Sequence, residues 1–116
     1  MQHSRFNFVS LTIAAALLLS LPLRAAAFDA EAAEDTARRE SCLKCHGIDK
    51  RKDGPAYRQV AAKYRGKPDA EEKLIAHVKS GRVVQLASGD EEEHRIIQTS
   101  DENEIRNLIQ WILSLQ

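Results

Sequence analysis

The chain has 116 residues, 17 of them basic and 17 acidic, for a formal net charge of zero; that length fits one small domain, and the balance lacks the basic excess that marks nucleic-acid binding. A chain of this size, shorter still if a leader is removed, is small for a self-sufficient core. Two cysteines allow one disulfide or one shared chemical use and exclude a multiply stapled scaffold.

Residues 1–27 open with Gln2, His3, Ser4 and Arg5, continue through an apolar run from Phe6 to Leu23 and finish in Ala25-Ala26-Ala27. That order is the n-region, h-region and small-residue cleavage site of a secretory signal peptide. The rival reading is a retained anchor, because the run is near the lower limit for crossing a bilayer. Ser10, Thr12, Ser20 and Pro22 interrupt it, which favours cleavage. The expected division is a signal peptide at 1–27 and one exported domain at 28–116, with no stable membrane insertion once the signal is removed. Cleavage takes away Arg5 and Arg24 but no acidic residue, leaving the remainder slightly acidic.

Phe28 to Ser41 reads as a first helix, with Asp29 and Glu31 where the macrodipole favours negative charge and Arg38 and Arg39 at the other end. Ala30, Ala33 and Ala37 recur at spacings of three and four. They form a narrow face suited to close approach by another helix, or reflect only that alanine is a good helix former.

Next comes Cys42-Leu43-Lys44-Cys45-His46. Two thiols three positions apart, with an imidazole directly behind them, are the pattern of covalent c-type haem attachment. On a helical turn the two sulfurs face one side and can reach both vinyl groups of a single porphyrin. His46 then lies under the iron as proximal ligand. A bare CxxC would equally read as a redox dithiol, half a zinc site or a disulfide; the following histidine makes the signal specific. The cofactor expected is one haem c held through Cys42 and Cys45.

After Gly47 a charged loop from Asp49 to Asp53 leads to Gly54-Pro55. A ligating histidine needs an acceptor for its second ring nitrogen, and the Pro55 carbonyl is the nominee; the plainer reading is a proline that shapes a turn. Ala56 to Arg65 carries Tyr57, Val60, Ala61 and Tyr64 at helical offsets. A third helix follows, with Asp69 as its expected cap, Leu74, Ile75 and Val78 as its apolar face and Gly81 at its end. His77, between Lys73 and Lys79 in sequence, reads as a solvated surface histidine.

From Gly81 to Ser100 the helical pattern stops. Val83, Val84 and Leu86 form a small apolar cluster ahead of Asp90-Glu91-Glu92-Glu93-His94-Arg95; an irregular stretch of that length in a small domain usually carries function. The last helix, capped by Ser100 or Asp101, has a wide stripe of Ile105, Leu108, Ile109, Trp111, Ile112 and Leu115. No segment reads as a convincing strand, so the expected class is all-α.

These elements resemble the class I cytochromes c, closest to the small bacterial periplasmic type. The resemblance rests on Cys42 to His46, on Asp53-Gly54-Pro55-Ala56-Tyr57 with Val60-Ala61-Ala62-Lys63-Tyr64, and on Trp111-Ile112-Leu113-Ser114. It implies about four helices wrapped around one covalent haem, a terminal helix crossing the first, Trp111 packed beside the haem, and a proline carbonyl accepting from the proximal histidine. It also implies electron transfer without bond chemistry, in the periplasm. The departure is the sixth ligand. The family usually supplies methionine from the long loop before the last helix, yet the only methionine is Met1, which leaves with the signal peptide. That leaves another histidine, a lysine or an open site, and beyond His3 and His46 the histidines are His77 and His94. Aligned on Trp111, the family's methionine falls at about Arg95, one residue from His94, so His94 is the expected distal ligand; a charged, solvated loop is the plainer reading.

Two imidazoles on one iron predict a low-spin centre with a lower reduction potential than a histidine–methionine relative. The function expected is therefore a periplasmic monohaem electron carrier, a free monomer or a subunit of a larger oxidoreductase, rather than an enzyme in its own right. Lys44, Lys50, Arg51, Lys52, Lys63 and Lys67 offer a basic surface for transient docking of redox proteins, or simply solvated charge. The competing reading is a haem enzyme subunit or gas sensor with an exchangeable sixth site. A haem-free thiol–disulfide protein is disfavoured because the chain lacks the βαβ pattern of thioredoxin-like CxxC sites.

Overall fold

The structure is a computed structural model and describes Met1 and residues 28–115. Among the described residues it has five helices, α1 (Ala30–Arg39), α2 (Cys42–Cys45), α3 (Tyr57–Tyr64), α4 (Ala70–Ser80) and α5 (Glu102–Ser114), and two strands, β1 (Val83–Gln85) and β2 (Glu91–Glu93). The expected signal peptide lies, Met1 apart, outside the described residues. None of the helices is long and apolar enough to cross a membrane.

The helix expected over 28–41 begins where Asp29 accepts from the Ala32 N–H at 3.0 Å, as an N-cap should. It stops at Arg39, and Ser41 then adopts a left-handed conformation with φ of 61°. Few residues other than glycine take that conformation. The break re-aims the chain, so the cysteine motif forms its own short helix. It also turns the Glu40 side chain inward, where its carboxylate accepts from the backbone N–H groups of Gln98 (2.7 Å) and Thr99 (3.2 Å).

Helix α5 organises the core by packing against α1, α3 and α4. Ala33 and Ala37 are completely buried, alongside Ile105, Leu108, Ile109 and Ile112, so the small-residue face of α1 does bring two backbones close. The chain start is clamped to α5 reciprocally: the Asp29 N–H donates to Asn107 Oδ1 at 2.7 Å, and Asn107 Nδ2 donates to the Asp29 carbonyl at 2.9 Å. Ion pairs Arg39–Glu104, Arg106–Glu71 and Lys79–Glu102 tie α1 and α4 to the same helix.

Two expectations need correction. Asp69 occupies the N-cap position of α4 but makes no side-chain cap bond; its carboxylate pairs with Lys73 instead, at 2.7 Å. The 81–100 stretch is not wholly irregular either, because β1 and β2 pair antiparallel with Val83 opposite Glu93, Val84 opposite Glu92 and Gln85 opposite Glu91. Three consecutive glutamates are poor strand formers, so the hairpin is set by its β-branched partner strand and by a turn in which Gly89 takes a φ of 96°. The fold remains helix-rich, with a small sheet added.

Candidate haem site

Helix α2 is a single turn, which leaves Cys42 half-buried and Cys45 exposed. His46 is its C-cap in extended conformation, with its N–H donating to the Cys42 carbonyl at 3.0 Å. The imidazole therefore departs from the helix end. Its Nδ1 lies 2.7 Å from the Pro55 carbonyl oxygen, a separation that a donating Nδ1–H would make a hydrogen bond, leaving Nε2 unprotonated with its lone pair free to bind a metal. The loop carrying Pro55 is held in place by the Gly54 N–H donating to the Cys45 carbonyl at 2.9 Å and by Lys52 Nζ donating to the Leu43 carbonyl at 2.6 Å.

Sequence reasoning passed over three residues of this site. A Cβ on Gly54 would stand 2.7 Å from His46 Cε1, and one on Gly47 would stand 2.2 Å from the Lys50 carbonyl oxygen. Both glycines are required by close approach. Tyr57, noted at a helical offset and within the family-like stretch 53–57 but given no role at the site, stacks on the His46 ring with centroids 5.2 Å apart and planes 17° apart. Trp111 is buried and meets Tyr57 edge-on at 5.8 Å. Its contact with the His46 ring thus runs through Tyr57. A Gly-Pro followed two residues later by an aromatic at the start of a helix was the available signal.

Across from His46 stands His94, with ring centroids 6.1 Å apart. His94 directly follows β2; its N–H donates to the Arg82 carbonyl at 2.9 Å, and its Nδ1 lies 2.9 Å from the Arg95 carbonyl. His77 is not the solvated surface residue expected. It is half-buried and its ring centroid is 4.3 Å from that of His94. The reason is tertiary: the segment after β2 folds back along α4, with the Ile97 N–H donating to the Val78 carbonyl at 2.9 Å. Burial, then the nearby His94 and Arg82, push the His77 pKa down to about 4. Burial likewise lowers that of His46, partly opposed by the Pro55 carbonyl, and burial raises those of Cys42 and Tyr57.

The donor set fits a haem. Two metal–imidazole bonds of about 2 Å plus two ring radii span about 6 Å, the separation of the His46 and His94 rings. A bare metal ion would need more protein donors, and no cluster of three or more histidine, cysteine or acidic side chains placed to hold one occurs among the described residues. A porphyrin brings its own four nitrogens.

The sequence model of the family described as Cytochrome c matches residues 30–116. The chain belongs to the cytochrome c family. Cytochrome c-551 of Allochromatium vinosum is 32% identical over 108 residues, covering 93% of this chain and 98% of its own. Cytochrome c2 of Rhodocyclus tenuis is 37% identical over 81 residues, covering 69% and 88%. The crystal structure of the class 1 cytochrome MtoD from Sideroxydans lithotrophicus ES-1 superposes with a TM-score of 0.73 at 56% identity, over 77% of this chain and 98% of that one. The protein is accordingly a small bacterial class I cytochrome c, a monohaem electron-transfer protein with one haem c attached covalently through its cysteines. Cys42 and Cys45 are the two cysteines of the sequence.

Proposed function

We propose that this cytochrome is an exported, periplasmic single-electron carrier whose iron is held between two histidines, His46 and His94, at a potential below that of histidine–methionine relatives. The observation that carries the reading is the pair of imidazoles with ring centroids 6.1 Å apart in a sequence whose sole methionine is Met1. The haem supplies a one-electron ferric/ferrous couple. The chain's own contribution is to hold both donors in place. Cys42 and Cys45 fix the porphyrin to α2, and the Pro55 carbonyl takes the Nδ1 proton of His46, which sets the tautomer and strengthens Nε2 as a donor. Tyr57 stacks on His46 and is itself backed by Trp111, so the imidazole need not reorient when the charge on the iron changes.

A nitrogen in place of a thioether stabilises the ferric state, which lowers the potential. Docking of redox partners fits the exposed Lys44, Lys50, Arg51, Lys52, Lys63 and Lys67. None of these six joins the ion pairs made among the described residues, so their charge is available to steer an acidic partner.

The test is to count axial imidazoles in the ferric holoprotein by electron–nuclear double resonance with isotopically labelled histidine. Two imidazoles are expected both in the unaltered protein and in His77→Ala, with no methionine–iron charge-transfer band. A single axial imidazole, or loss of the second one in His77→Ala, overturns the assignment of His94. Rapid, stoichiometric carbon monoxide binding by the reduced protein would instead point to a haem enzyme or gas sensor with an exchangeable sixth site.

A further inference from the structure

We propose that His77 is a second distal imidazole, able to take the sixth coordination position whenever His94 leaves it. The proposal rests on His94 being the resident ligand, and two features of the structure carry it. The first is contact. The His77 and His94 ring centroids are 4.3 Å apart, closer than the 6.1 Å between His94 and His46. A shift of about one ring width is the scale of a side-chain rotamer change together with a loop movement, well short of refolding.

The second feature is unequal anchoring. His94 hangs from a two-stranded hairpin, an arrangement that is marginally stable by itself. All three residues of β2 are exposed glutamates, and the hydrogen-bond partner of the His94 ring among the described residues is the carbonyl of its own neighbour, Arg95. His77 stands on α4, an eleven-residue helix. That helix buries Leu74 in the core and packs against α5, with Lys79 paired to Glu102. Local opening selects segments with few buried apolar contacts, so hairpin opening withdraws His94 and leaves His77 where it is.

In the exchange one iron–nitrogen bond to His94 breaks and one to His77 forms. Each histidine would bind through a ring nitrogen, so one imidazole replaces another on the iron and no electron has to move. The consequence is an iron that stays six-coordinate and closed to small ligands while the hairpin opens.

Ferric spectra and carbon monoxide binding of the holoprotein variants test this. His94→Ala is expected to remain low-spin and to bind carbon monoxide no faster than the unaltered protein. His77→Ala should also be low-spin at rest. The double variant is expected to lose the low-spin spectrum and to bind carbon monoxide rapidly, and added free imidazole should restore the low-spin state, which reports an intact pocket. A high-spin His94→Ala overturns the proposal while leaving His94 as the resident ligand. A low-spin double variant overturns it by revealing a third donor. If His77→Ala alone turns high-spin, then His77 is the resident ligand and the reading of His94 fails with it.

Discussion

Gly54 has no room for a side chain, because a methyl group there would press on His46 Cε1 at 2.7 Å. The neighbour it meets is a ring stacked on Tyr57 and held at Pro55, and a ring fixed on two sides does not yield easily. Gly54→Ala is therefore expected to cost about 1–3 kcal/mol of stability, as overpacking does, and to perturb the ferric spectrum. A denaturant titration read beside the absorption spectrum checks both, and an unchanged spectrum would show that the ring has slack. Tyr57 sets a second expectation. Burial raises its pKa above the usual phenol value of about 10, and that cause persists once Cys42 is a thioether. Above that pH the unfolded chain gives up the phenolic proton while the folded chain keeps it. Stability contributed by the buried neutral phenol is thus fully present below about pH 10 and falls as pH rises beyond it, by at most about 1.4 kcal/mol per pH unit. Tyr57→Phe should flatten this alkaline limb relative to the unaltered protein, measured as unfolding free energy from pH 9 upward.

At the scale of elements, the join between α1 and α2 does more than end a helix. The left-handed Ser41 lets Glu40 reach the chain just ahead of α5, where its two carboxylate oxygens satisfy the N–H groups of Gln98 and Thr99. One side chain thereby fixes the entry to α5 and the exit of the loop that carries His94. Glu40→Ala strands two backbone donors in a part-buried place, at a cost of about 1–3 kcal/mol each when buried and less where water can enter. The expected outcome is a lower denaturation midpoint together with faster amide exchange at Gln98 and Thr99. Unaltered exchange at those two amides would show that water replaces the carboxylate at no cost. The hairpin behaves differently, since β2 presents three exposed glutamates on an edge strand. Charge on such an edge discourages pairing with another chain.

For the whole molecule the question is what completes the core. Leu43, Ile48, Val60, Val78 and Ile97 are only partly buried against the central cluster. Burying an aliphatic side chain fully is worth about 1.5–3 kcal/mol, so several such residues left wet weigh heavily against a total stability of about 5–15 kcal/mol. A bound haem is apolar mass of the right kind for such surfaces. Replacing both cysteines, Cys42→Ala with Cys45→Ala, should yield a chain that lacks a cooperative thermal transition and most of its helical circular dichroism at 37 °C. A cooperative transition in that variant would mean that α1, α3, α4 and α5 form a sufficient core by themselves.

The sequence by itself determined whatever depends on spacing along one element. The cysteine–histidine motif, the apolar stripe of α5, the small face of α1 and the absence of any methionine beyond Met1 are all local, and a helix's period of 3.6 residues converts them directly into shared faces. The family followed from the same short stretches. Only the tertiary structure decided what depends on distant segments meeting. The separation of His46 and His94, the contact of His77 with His94, the stacking of Tyr57 on His46 and the Glu40 clamp on residues 98 and 99 all arise because loops return across helices. No periodicity records where a loop returns. The position of His77 shows this most plainly. Lys73 and Lys79 flank it in the sequence, which argued for solvent, but the segment after β2 folds back beside α4 and turns that edge of the helix into the wall of the site.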